Sequence, residues 1–177
     1  MKLLKYENYT IKFEPELLTL KLFKKLHSRD RSRNKDRFMQ ELGYIYFMCD
    51  PRSDYQYLVD EEDRSKAIIE GEGLPTDYKP DALVEEAMRY YNTFKPTSAL
   101  LLEDTRVMVD GYRKKLRELT SDMSELEVKD IKALGDIIKI IPTLVKDLDD
   151  AERSVNREMI QNDKVRGSVE KSIYEDL

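Results

Sequence analysis

The chain has 177 residues, 38% charged and 40% hydrophobic, which is enough for a buried core but offers no run near the roughly 18 apolar residues of a membrane span. One cysteine and one histidine exclude an internal disulfide framework and a Cys/His metal site by count, and the lone thiol suits a reducing compartment. The net charge of −5 is uneven: residues 1–37 hold eleven Lys and Arg against five acids, while residues 38–177 hold twenty against thirty-one.

The opening MKLLKYENYTIKF has no continuous apolar stretch and no small-residue cleavage site, so no signal peptide is expected. Tyr9, Ile11 and Phe13 alternate with polar residues, as an extended arm or short strand does, and residues 1–14 are read as an N-terminal arm. Pro15 opens a helix over about 15–27, with Leu18, Leu22 and Leu26 on one stripe beside Phe23.

The stretch HSRDRSRNKDRF, residues 27–38, lacks apolar residues up to Arg37 and cannot bury itself. Asp30, Ser32 and Asn34 can each cap the helix that follows by accepting a backbone N–H. That helix carries Phe38, Leu42, Ile45 and Cys49 on one face and ends at Asp50-Pro51, because the residue before proline leaves helical geometry.

A short helix over about 60–70 begins with acids, as its dipole favours. GEGLPTDYKP (71–80) is loop. Pro80 and Asp81 start a helix over 81–94 with Val84, Ala87, Met88, Tyr91 and Phe94 at a 3.6-residue period. Pro96 separates it from a helix over 98–120, whose core side reads Leu101, Met108, Tyr112, Leu116 and Leu119.

Ser124 and Glu127 have capping-box spacing before a last helix over 125–160. Ile131, Leu134, Ile138, Ile141, Val145, Leu148, Val155 and Met159 approximate a heptad seam there. Ile137, Ile140 and Leu144 add a second apolar face, and Pro142 removes one backbone bond and bends the helix. Residues 161–177 lose periodicity and read as a flexible C-terminal tail. The fold class is therefore all-α: a bundle of about five to six helices over 15–160, with a long kinked last helix.

No convergent set of reactive groups stands out. His27 reads as a solvated helix end and Cys49 as a small hydrophobe. The acids Asp60, Glu61, Glu62 and Asp63 are consecutive and diverge on a helix, so they suit its first turn better than a cation. Asp81 with Glu127 and Lys129 loosely resembles a nuclease metal set, but both pieces read as helix starts. Gly71 and Gly73 lack the spacing and the Lys of a phosphate loop. No catalytic residue, metal or cofactor is assigned.

The basic stretch keeps three readings: a solvated connection, a subunit interface and a DNA contact. Arg29, Arg31, Arg33, Lys35 and Arg37 are its candidate interface or DNA-facing residues, with Lys24 and Lys25 nearby and no aromatic interleaved for base stacking. The pairs Tyr44/Tyr46, Tyr55/Tyr57 and Tyr90/Tyr91 must point different ways, which suits either a protein contact or a Tyr-rich core edge.

The segment YIYFMCDPRSDYQYLVDEEDRSKAIIEGEGLPTDYKPDALVEEAMRYYNTFKPTSALLLED (44–104) resembles a virion protein of crAss-like tailed bacteriophages. The features that carry the likeness are the Asp-Pro turn, the tyrosine pair at 55 and 57, an acidic helix, the Gly-Leu-Pro loop and a helix ending in Tyr-Tyr. The family is that of ring or adaptor proteins extending the portal at the head–tail junction. The resemblance implies a non-enzymatic, mostly helical subunit of a twelve-fold ring. Its partners would be further copies of the chain, the portal and neighbouring tail rings, with DNA passing through the lumen without sequence-specific binding and no membrane. It would reside in the virion, and in the host cytoplasm during assembly. The alternative is a small helical DNA-binding or packaging-associated protein.

Overall fold

The computed structural model describes residues 3–121 and 128–165. The protein is all-α apart from one two-stranded sheet, and it divides into two compact units, Met1–Lys95 and Pro96–Leu177. This differs from the single helical domain over 15–160 expected from the sequence. Each unit has its own buried cluster, and neither cluster draws a residue from the other.

The first unit opens with β1 (Leu4–Glu7) and β2 (Thr10–Phe13), paired antiparallel with Leu4 opposite Phe13 and Glu7 opposite Thr10. Asn8 and Tyr9 form the turn, both at positive φ (53° and 59°), which matches the twist of a two-residue hairpin. An isolated hairpin is marginal in water. Here Leu3, Leu4 and Ile11 are buried with the helices, each contributing on the order of 1.5–3 kcal/mol. The expected arm is thus an integral part of the core, because both strands send apolar residues inward.

A 3₁₀ turn over Pro15–Thr19 precedes α1 (Lys21–Arg29), with Leu20 extended between them (ψ 124°). The break shifts the apolar phase. Leu17, Phe23 and Leu26 are the buried residues, and Leu18 and Leu22 are only half-buried, so the expected continuous stripe over 15–27 is replaced.

Helix α2 (Asp36–Cys49) is the central element. Phe38, Leu42, Ile45 and Cys49 are buried as their spacing predicts, and so are Tyr44, Tyr46, Phe47 and Met48. A helix apolar on every side must be surrounded. It packs against α3 (Glu61–Gly71), α4 (Ala82–Asn92) and the hairpin. Asp60 caps α3 by accepting the N–H groups of Glu62 and Asp63, so the acid run is a helix start.

In the second unit α5 (Thr97–Ser121) pairs with α6 (Val128–Val165). The Ser98 hydroxyl donates to Glu158 and Arg106 pairs with Glu152 at 3.1 Å, so the helices run antiparallel. Helix α6 spans about 57 Å at 1.5 Å per residue and continues through Pro142. The buried seam takes Ala99, Leu102, Thr105 and Leu119 from α5, and Ile137, Leu144, Ala151 and Val155 from α6. Leu134, Ile141 and Leu148 complete it, half-buried.

This corrects the expected seam. Leu101 and Met108 on α5, and Ile131, Ile138 and Val145 on α6, are exposed. Two apolar stripes one residue apart share the same seven-residue spacing, and α5 selects the one containing Ile137 and Leu144. Ser124, Glu127 and the tail beyond Val165 lie outside the described residues.

Candidate functional site

The five candidate cations of the basic stretch separate into different environments. Arg29 closes α1 and Arg37 opens α2, and both reach the same two acids. Arg29 pairs with Glu41 at 2.6 Å and with Asp81 at 2.6 Å. Arg37 pairs with Glu41 at 2.8 Å and with Asp81 at 3.4 Å. Glu41 is buried, with 3% of its side chain exposed, so the cluster ties α1, α2 and the start of α4 together. Asp81 also caps α4, accepting from Leu83 and Val84 N–H. Burial pushes the Asp81 carboxyl upward, but the Arg29 hydrogen bond and the cap bonds outweigh it, so its pKa lies below the ordinary value.

Lys35 adopts a left-handed conformation (φ 57°), and its ammonium donates to the Asp30 carbonyl. Asp30 is buried and accepts from Phe38 N–H at 3.0 Å and Ser32 N–H at 2.8 Å. Those backbone bonds, the Phe38 one first, hold its carboxyl down at about 2. The Ser32 hydroxyl accepts from Asp36 N–H. Of the three expected caps, Asp30 and Ser32 serve α2, while Asn34 is exposed. Of the five candidate cations, only Arg31 and Arg33 remain exposed without an ion pair among the described residues.

A second polar clasp lies at the Asp50-Pro51 turn. The Asp50 carboxylate accepts from Arg52 Nε at 2.7 Å, Arg52 Nη2 at 2.6 Å and the Tyr91 hydroxyl at 2.7 Å. Arg52 also donates to the Leu4 carbonyl and lies 5.7 Å from the Tyr46 ring centroid. This joins the hairpin, the end of α2 and α4. Burial, then the Asp50 charge and hydrogen bond, pushes the Tyr91 phenol far up. Burial pushes Tyr46 up to about 12. An open cleft beside the clasp is lined by Lys5, Tyr6, Glu7, Tyr46, Phe47, Arg52 and Asp54. Its two cations and two acids cancel, so it selects no ligand charge.

Two of the three tyrosine pairs split between inside and outside, and the third, Tyr44/Tyr46, is wholly buried because α2 is surrounded. Tyr44, Tyr46 and Tyr91 are buried, Tyr55 is half-buried, and Tyr57 and Tyr90 are exposed. His27 packs edge-on against Phe38, and the Cys49 thiol faces the Met88 carbonyl, so the two occupy separate surroundings. No group of three or more His, Cys, Asp or Glu side chains is placed to hold a metal among the described residues. Among the same residues, no helix is long and apolar enough to cross a membrane.

Among the described residues, most of the exposed large hydrophobic side chains lie on α5 and α6. Ile131, Ile138 and Val145 are 56%, 54% and 59% exposed, and Leu100, Leu101, Val107 and Met108 are similarly open. Comparison with protein-family models, with curated proteins and with solved structures finds no match to this chain.

Proposed function

We propose that the chain is a structural, non-enzymatic subunit of a head–tail connector ring of a tailed bacteriophage. It would extend the portal and surround the channel through which DNA leaves. The observation that carries the assembly part is the exposed apolar surface of α5 and α6, since monomeric surfaces seldom leave so many isoleucines and leucines open along one helical pair. The resemblance of residues 44–104 supports the connector part.

In this reading the partners are further copies of the chain in a twelve-fold ring, the portal and neighbouring tail rings. DNA passes through the lumen without sequence-specific contact. The body over residues 38–177 is acidic, which suits a channel wall that does not hold the phosphate backbone. Light scattering and electron microscopy of the purified protein test the proposal. Rings that bind portal support it; a monomer indifferent to portal refutes it.

A second reading, a small helical DNA-binding or packaging-associated protein, is favoured by one observation. Lys24, Lys25, Arg31 and Arg33 are all exposed near the end of α1. It requires affinity for duplex DNA that falls steeply with salt and is lost on replacing those four residues.

A further inference from the structure

The two sides of the α5–α6 pair are chemically different. The Arg106–Glu152 ion pair fixes which flank is which, because both residues lie one step beyond the buried seam residues Thr105 and Ala151. Counting back from Glu152 in sevens reaches Val145, Ile138 and Ile131. Counting forward from Arg106 reaches Arg113, with Arg117 one turn further on. All of these share the first flank. On it, α6 is apolar, and α5 presents Arg113 and Arg117, both exposed and without an ion pair among the described residues.

The opposite flank inverts this pattern. There α5 is apolar through Leu101 and Met108, bordered by Leu100 and Val107. There α6 presents Asp147 and Asp150, again exposed and unpaired, with Arg157 at the far end.

We infer that this helical pair associates face to back with a second copy of the chain, the Ile131/Ile138/Val145 flank of one copy packing against the Leu101/Met108 flank of the next. In that arrangement α6 lies over the partner's α5 and apolar meets apolar. At the same time α5 lies over the partner's α6, and arginines meet aspartates. Packing the first flank on its own twin fails on one count or the other. Apolar on apolar brings arginines onto arginines, and the alternative sets arginines on isoleucines. A contact between two different flanks leaves one unused flank of each kind on every dimer, and because α6 lies over the partner's α5 each copy is turned by about half a turn on the stacking direction, so the contact propagates into an open stack. The inference deepens the self-association part of the proposed function and rests on it, while closure into a ring needs other surfaces of the chain.

The test uses the full chain carrying Ile138→Asp or Met108→Asp, both at exposed positions, with far-UV circular dichroism as the check on folding. Sedimentation velocity should show assembly weakened by about tenfold or more in each variant alone, as expected for a charge placed in an apolar contact. An equimolar mixture should form a one-to-one pair and nothing larger, because each variant keeps the flank that the other has lost. A variant that had misfolded could not do this.

Loss of assembly in one variant with wild-type assembly in the other would overturn the face-to-back contact. Wild-type assembly in both would overturn it too, while leaving a ring built on other surfaces. A wild-type chain that stays monomeric overturns both ideas. A one-to-one mixed pair, with wild-type stacks in place of rings under the microscope, upholds the contact and refutes the ring.

Discussion

Replacing Glu41 with Gln keeps the shape of a buried side chain and removes the charge that Arg29 and Arg37 share. Glu41 Oε1 accepts from Arg29 Nη2 at 2.6 Å and Arg37 Nε at 2.8 Å. The Arg37 pair is an i,i+4 contact with a mostly exposed guanidinium, worth about 0.3–0.5 kcal/mol. The Arg29 pair is largely buried, and breaking such a pair costs about 3–5 kcal/mol. Asp81 stays in contact with Arg29 and offsets part of that, so the net loss should be about 2–3 kcal/mol. Nine of the eleven tyrosines lie in residues 1–95, the others being Tyr112 and Tyr174, so tyrosine fluorescence during guanidinium unfolding reports the first unit. With a slope near 2 kcal/mol/M, the midpoint should fall by about 1–1.5 M. Arg31→Ser with Arg33→Ser, which removes two exposed cations outside the cluster, should stay within about 0.5 kcal/mol of wild type. If Glu41→Gln lost no more than that control, the cluster would not hold the unit together, and Arg29 and Arg37 would again be candidates for an external partner.

The first unit should also lose stability in acid. The Asp30 carboxyl is held at about 2 in the fold against an ordinary 3.8, so its contribution is present above about pH 4 and disappears as the pH falls from there towards 2. Asp30→Asn should flatten this slope in unfolding curves measured between pH 5 and 2. A Cβ at Gly71 would collide with the Tyr55 hydroxyl, so Gly71→Ala should displace that ring from Glu72 at a cost of about 1–2 kcal/mol. By NMR titration the Tyr55 phenol, raised to about 12 by burial and then the Glu72 hydrogen bond, should move back towards the ordinary tyrosine value. Tyr9 is 93% exposed at a left-handed φ of 59°, so Tyr9→Gly should raise thermal stability by an amount corresponding to about 1 kcal/mol. A fall would mean that the ring itself stabilises the turn.

Legibility in the sequence followed the strength of the local signal. Helices α2 and α4 could be read because their apolar residues recur at a helical period and sharp residues bound them: Asp50-Pro51 for one, Asp81 for the other. The hairpin was half-visible in the alternation of Ile11 and Phe13, but Asn8-Tyr9 lacks the glycine that marks such turns. The extended Leu20 that breaks the first helical segment has no marker, since a leucine there fits a helix equally well. In the ion cluster, the Arg37–Glu41 pair could be read from its four-residue spacing. The Arg29–Asp81 pair spans 52 residues and depends on how α1 meets α4. The basic stretch therefore looked more available to a partner than it is, because the acids that neutralise half of it lie elsewhere in the chain.

The misread seam of α6 is informative in its own right. Spacing alone could not choose between the stripe through Ile131, Ile138 and Val145 and the stripe through Ile137, Leu144 and Ala151, because both repeat every seven residues. A helix paired with one partner needs one apolar stripe and gains solubility by making its neighbour polar. Helix α6 has isoleucine or valine at three successive positions of the exposed stripe, Ile131, Ile138 and Val145, and α5 has leucine and methionine on the opposite flank. Those residues contribute little to the α5–α6 pairing, since they are exposed. They are the residues on which the proposed association of helical pairs rests, and that proposal accounts for the ambiguity that misled the periodicity.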